Sequence, residues 1–201
     1  MKEEHIYFPC GNITLEGLGF FGADPRGVVV SHPHPLMGGC MINNVVEAMV
    51  SAFHEQGFST LRFNFRGVEG SEGAYDEGIG EQGDVLAAKT CLIEKGSKEI
   101  ALAGYSFGAW VHLNVLSREN VFSPVILVSP AVNILPFDFS TLQGKVSLII
   151  CGDRDQFSSV EKLEEIAGKL DCALKIVKGA DHFFVEREGE IIRYIREYLT
   201  A

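Results

Sequence analysis

Ser106 stands in Gly104-Tyr105-Ser106-Phe107-Gly108, directly after the apolar run Ile100-Ala101-Leu102-Ala103 and directly before a helix-patterned segment. A serine on a sharp strand-to-helix turn has its Oγ pushed out past the sheet. Glycines flank such a turn because a Cβ would strike the neighbouring strand or helix. With 22 Gly among 201 residues the spacing alone is a weak signal. A hydroxyl becomes a nucleophile beside a base, and the base works best when an acid orients it. Two later apolar runs offer these partners. Residues 146–151 lead into Gly152-Asp153-Arg154-Asp155-Gln156-Phe157, and residues 174–177 lead into Lys178-Gly179-Ala180-Asp181-His182-Phe183-Phe184. The chain order is therefore Ser106 as nucleophile, Asp155 as acid and His182 as base, with Asp153 competing for the acid's place. Asp181 is a poor competitor, because a side chain next to His182 in sequence is constrained to point differently along the loop.

A tetrahedral oxyanion needs two N–H donors. One is the backbone N–H of Phe107. The other is sought in the loop Ser31-His32-Pro33-His34-Pro35-Leu36-Met37-Gly38-Gly39, which follows the first buried strand. Proline has no N–H to give, so Pro33 and Pro35 drop out and His34 remains, with Leu36 as second choice. His32 and His34 lack the spacing of a metal-binding motif and are read as loop-fixing residues. No metal and no cofactor is expected.

The elements that must hold these residues follow from the pattern of apolar runs. Residues 5–21 alternate loosely around the turn Pro9-Cys10-Gly11-Asn12, which predicts an antiparallel lead-in. From Val28 onward, short continuous apolar runs alternate with helix-period segments, as strands buried on both faces do. Strands are predicted at 27–31, 60–65, 99–103, 125–129, 146–151 and 174–177. Helices carry the faces Val45, Val46, Met49, Val50 and Phe53; Val85, Ala88 and Leu92; Ala109, Leu113 and Leu116. Ser158-Ser159-Val160-Glu161 predicts a capping box opening a fourth helix, and Ile191, Ile195 and Tyr198 mark a fifth. The glycine-rich stretch 67–83 is predicted to be irregular and to help wall the site. His54 and His112 are expected on the surface or as satisfied core residues, Arg66 as a brace for its loop, and Trp110 in the core.

A chain of 201 residues with 46% hydrophobic and 22% charged residues suits one soluble domain spanning 1–201. No apolar run is long enough for a membrane helix. Residues 1–5 are acidic and Ile6-Tyr7-Phe8 follows without an apolar signal segment, so a cytoplasmic location is expected. Five cysteines without a C-x-x-C pair are expected to be reduced. A formal net charge of −10 repels polyphosphates, so nucleic acid is not an expected partner, and without a long apolar run neither is a membrane. Nothing in the sequence specifies an oligomeric state.

Taken together, His32-Pro33-His34-Pro35 with Gly38-Gly39, the run from Arg62 through Val68 with Ser71-Glu72-Gly73, the serine turn, the stretch 152–155 and the stretch 179–184 resemble the α/β-hydrolase superfamily. The nearest likeness is to its small, cap-less, dienelactone-hydrolase-like members, and it covers nearly the whole chain. The resemblance implies an α/β-hydrolase fold with a mostly parallel central sheet, helices on both faces and no cap domain. It also favours Asp155, which occupies the superfamily's G-x-x-D position. Glu69 departs from the R-G-x-G-x-S pattern, where glycine is usual, and Ser158-Ser159 replace a frequent Val-Pro. Ser106 replaces the cysteine nucleophile of dienelactone hydrolases proper. The implied activity is hydrolysis of small carboxylic esters or thioesters through an acyl-enzyme. A peptidase or acyltransferase on the same residues, or a binding module that has lost turnover, are the alternatives.

Overall fold

The computed structural model describes residues 2–119 and 122–201. Eight strands form one sheet: β1 (Glu4–Cys10), β2 (Ile13–Phe20), β3 (Arg26–Ser31), β4 (Ser59–Phe63), β5 (Glu99–Tyr105), β6 (Phe122–Val128), β7 (Leu148–Gly152) and β8 (Ala173–Val177). Their order across the sheet is β1-β2-β4-β3-β5-β6-β7-β8. The pairs β1–β2 and β2–β4 are antiparallel and the other five are parallel, which matches the expected lead-in and mostly parallel sheet.

Five helices cover the sheet: α1 (Asn44–His54), α2 (Gly80–Glu94), α3 (Phe107–Leu116), α4 (Val160–Leu170) and α5 (Glu188–Leu199). Because successive strand side chains point to opposite faces, each central strand feeds two cores. Val28, Val30, Ala101, Ala103, Ile126 and Val128 pack under α1 and α5. Val29, Leu102, Leu127 and Ile149 pack under α2, α3 and α4. Each valine, leucine or isoleucine among them, fully buried, contributes about 1.5–3 kcal/mol. Among the described residues no helix is long and apolar enough to cross a membrane.

Several boundaries differ from the sequence pattern, for identifiable reasons. β4 stops at Phe63 because Asn64 N–H turns to the Glu16 carbonyl (2.9 Å) and Phe65 N–H to the His32 ring (3.0 Å). β5 runs on to Tyr105 because it is paired on both sides, Ser31 opposite Gly104 and Val128 opposite Tyr105. α2 begins at Gly80, inside the stretch expected to be irregular. There the buried Glu81 carboxylate accepts the N–H groups of Asp76 and Gly78 (2.8 Å each). α4 is capped by Ser159, whose Oγ accepts from Lys162 N–H (3.3 Å), and not by Ser158. Ser158 N–H is already committed to Asp155, so the chain leaves the acid's turn one residue too late for the expected capping box.

Candidate active site

Ser106 follows the last residue of β5 with φ 54 and ψ −114, a conformation that non-glycine residues rarely hold, and α3 begins at the next residue. The flanking glycines are required by contact. A Cβ on Gly104 would lie 2.7 Å from Ala109 N in the helix, and one on Gly108 would lie 2.6 Å from the Ser31 carbonyl oxygen on β3. Helix and strand thus approach to backbone distance on either side of the serine. Phe107 N–H, at the first position of α3, has no acceptor in its own helix.

Asp155 and His182 come from the turns that follow β7 and β8. His182 Nε2 lies 2.9 Å from Ser106 Oγ, and its Nδ1 lies 2.9 and 3.0 Å from the two oxygens of Asp155. Asp155 Oδ1 also accepts the N–H groups of Phe157 (2.8 Å) and Ser158 (3.1 Å). Burial raises the carboxyl's affinity for a proton, but the hydrogen bonds, led by that from His182, outweigh it and hold Asp155 below the usual carboxylate range. Asp153 does not reach the histidine; its Oδ1 accepts Gly179 N–H (2.6 Å) and ties the acid's turn to the histidine's. Asp181 accepts the N–H of Phe183. The two turns touch so closely that a Cβ on Gly152 would lie 2.2 Å from the Ala180 carbonyl oxygen.

The loop after β3 is fixed by its own histidines. His32 donates from Nδ1 to the Pro33 carbonyl (2.6 Å) and accepts Phe65 N–H at Nε2, so both nitrogens are used, and burial pushes its pKa down to about 4. The His34 ring accepts Leu36 N–H at Nδ1 (3.2 Å), while its Nε2 faces the Tyr75 hydroxyl (3.2 Å). Leu36 N–H is therefore occupied. Among the described residues the His34 backbone N–H has no acceptor, which leaves it alongside Phe107 N–H as a free donor. Gly39 closes the loop, since a Cβ there would lie 2.1 Å from the Pro33 carbonyl oxygen.

No protein-family model matches the chain. The uncharacterized protein RP471 of Rickettsia prowazekii (strain Madrid E) is 33% identical over 210 residues, which cover 98% of this chain and 88% of that protein. An alpha-beta serine hydrolase homologue from Coxiella burnetii superposes with a TM-score of 0.90 at 32% identity, over 99% of this chain and 98% of its own. The chain belongs to the α/β serine hydrolase family. XC6422 from Xanthomonas campestris, an α/β serine hydrolase without a lid, superposes with a TM-score of 0.87 at 26% identity, over 100% of this chain and 94% of that one.

In this member of the family, the connection from β6 to β7 holds one short 3-10 turn, Phe139–Thr141, in the place where a lid would be inserted. Ser106 and His182 lie in a cleft of about 390 Å³. The loop after β3 lines it together with Ala131, Ile134 and Leu135, and Phe157 and Phe183 stand beside the histidine. Phe157 packs edge-on against the His182 ring, and Tyr105 OH donates to the His182 carbonyl (2.8 Å), so the residue before the serine also clamps the histidine. Trp110 is half-buried: its ring packs on Phe107 and its Nε1–H donates to the Pro136 carbonyl (3.1 Å), bracing the wall loop. Arg66 is indeed a brace, paired with the buried Asp84 (2.7 Å). Glu69 takes φ 47, the left-handed conformation that glycine adopts freely. His112 is fully buried in α3, its Nε2 on Ser31 Oγ (2.8 Å) and its Nδ1 without a partner among the described residues, so it is only half satisfied.

Sequence reasoning missed Tyr105, Phe157 and the wall residues Ile134 and Leu135. An aromatic ring or an isoleucine in a loop carries no chemical signature of its own. Only the position of Tyr105, next to the serine, offered a hint.

Proposed function

We propose that the chain is a carboxylic ester hydrolase that cleaves small ester or thioester substrates through an acyl-enzyme on Ser106. His182 Nε2 takes the Ser106 proton as Oγ attacks the carbonyl carbon. Asp155 holds the other nitrogen protonated and stabilises the imidazolium that forms. The carbonyl electron pair moves onto oxygen, where the N–H groups of Phe107 and His34 receive it. Collapse of this intermediate breaks the bond to the alcohol or thiol, which leaves with the proton held by His182. Water then repeats the sequence on the acyl-serine, giving the carboxylic acid and the free hydroxyl.

The observation that supports this reading best is the unbroken chain of hydrogen bonds from Ser106 Oγ through His182 to Asp155, set at the floor of an open cleft. Five cysteines without a C-x-x-C pair suit a reducing, cytoplasmic setting. A fluorophosphonate probe tests the proposal directly. The folded protein should be labelled on Ser106 and should turn over 4-nitrophenyl esters with a burst of nitrophenol. Folded protein that takes no label and shows no turnover would be a binding module with this fold.

A further inference from the structure

Most polar side-chain atoms around the cleft are committed within the protein. Asn43 Oδ1 accepts Val45 N–H at the start of α1, while its amide NH2 has no partner among the described residues, and Tyr105 OH is given to the His182 carbonyl. The His34 ring is spanned by Leu36 N–H and Tyr75, and His182 by Asp155 and Ser106. No lysine or arginine lines the cleft among the described residues. Lys162, whose ammonium reaches the Val132 carbonyl behind the wall, does not line it either. Apart from the Asn43 amide, what remains toward the substrate is apolar: Met37, Ala131, Ile134, Leu135, Phe157 and Phe183. The apolar surface continues onto the rim, where Met37 is 79% exposed, Ile134 58% and Phe183 52%. Around it the chain carries a formal net charge of −10.

We infer that the acyl part of the substrate is uncharged and apolar, lying across Met37, Ile134 and Phe183, and that acyl groups ending in a carboxylate are rejected. The inference rests on the ester-hydrolase reading. An anion placed on this surface loses water without gaining a cationic partner, and it meets an overall negative field. An aliphatic chain of the same length instead buries its methylenes on side chains that are otherwise exposed to water.

The test compares 4-nitrophenyl hexanoate with mono-4-nitrophenyl adipate, which share leaving group and acyl length and differ in a terminal carboxylate. The hexanoate should be preferred by about 30-fold or more in kcat/KM, as follows for an unpartnered charge. Ile134→Lys or Met37→Lys, both at exposed rim positions, should narrow that preference about threefold by supplying the missing partner. Equal or better turnover of the adipate by the wild type would overturn the inference, as would an unchanged ratio in both variants. Failure to cleave either ester, with no fluorophosphonate labelling, would instead overturn the ester-hydrolase reading itself.

Discussion

Replacing Asp155 by asparagine changes one atom and should nearly stop turnover. Asp155 Oδ1 accepts two backbone N–H groups, from Phe157 and Ser158, while Oδ2 lies 2.9 Å from His182 Nδ1. In Asp155→Asn the amide oxygen must stay at the first position, because an NH2 there would confront two donors. The NH2 then faces His182 Nδ1, which has to become the acceptor. The ring proton moves to Nε2 and points at Ser106 Oγ, so the histidine no longer takes the serine proton. A base held in the wrong tautomer costs about 10³ to 10⁴ in kcat, or about 4 to 5.5 kcal/mol of barrier. The folded state should change little, since both backbone bonds survive. Steady-state kinetics on 4-nitrophenyl hexanoate, with the folded fraction checked by urea titration, measure both quantities. Asp153→Asn is the internal control: its Oδ1 accepts Gly179 N–H, an amide oxygen can do the same, and kcat should stay within threefold or so. A loss of less than tenfold in Asp155→Asn, or a larger loss in Asp153→Asn, would refute the tautomer argument.

Ser106→Ala should abolish turnover above the residual rate left by substrate binding and the two N–H donors, with the fold intact; more than a tenth of wild-type kcat would contradict this. Ser106→Gly should in turn be more stable than Ser106→Ala by about 1 kcal/mol in urea unfolding, because only glycine holds φ 54 and ψ −114 without strain. Stability should fall with acidification between pH 7.5 and 5. Burial pushes the pKa of His32 down to about 4 and that of His112 to about 3, so below about 6.5 the unfolded chain binds two protons that the folded one does not. The two histidines together remove about 4 kcal/mol by pH 5, and an unfolding midpoint that does not move with pH would refute it. Finally, the open cleft should favour a four-carbon over a sixteen-carbon acyl ester in kcat/KM below micelle formation, because no lid is present between β6 and β7 to cover a long tail.

The parts of this site that were legible in the sequence are those where chemistry restricts residue choice. Ser106 is marked by its two glycines, and both glycines meet backbone atoms where the motif requires. His182 and Asp155 are marked by following apolar runs that read as strands, the fully buried β7 before the acid and the half-buried edge strand β8 before the histidine. Prolines 33 and 35 removed themselves as donors. The choice between His34 and Leu36 was not legible, because it depends on the His34 ring folding back onto Leu36 N–H. The start of α2 was hidden for a related reason: glycines at 78, 80 and 83 read as irregular chain, while the buried Glu81 that organises the turn reads as a surface charge. His112 shows the same blindness in reverse, since a histidine's burial is set by what packs around it.

α3 bears on how such a protein can change over time. Its side chains are buried almost all around, from Phe107 through Leu116, and its first turn is pressed against β3 at Gly108. A helix enclosed in this way has almost no surface on which a new substrate preference could be tried. The tips of the loop after β3 and of the segment between β6 and β7 have no such constraint, since Met37 and Ile134 stand in water. Sequence drift in relatives of this chain should therefore leave the helix behind the serine nearly silent and accumulate on the two loops. Diversification of its chemistry would then proceed by exchanging the rim around an unchanging centre.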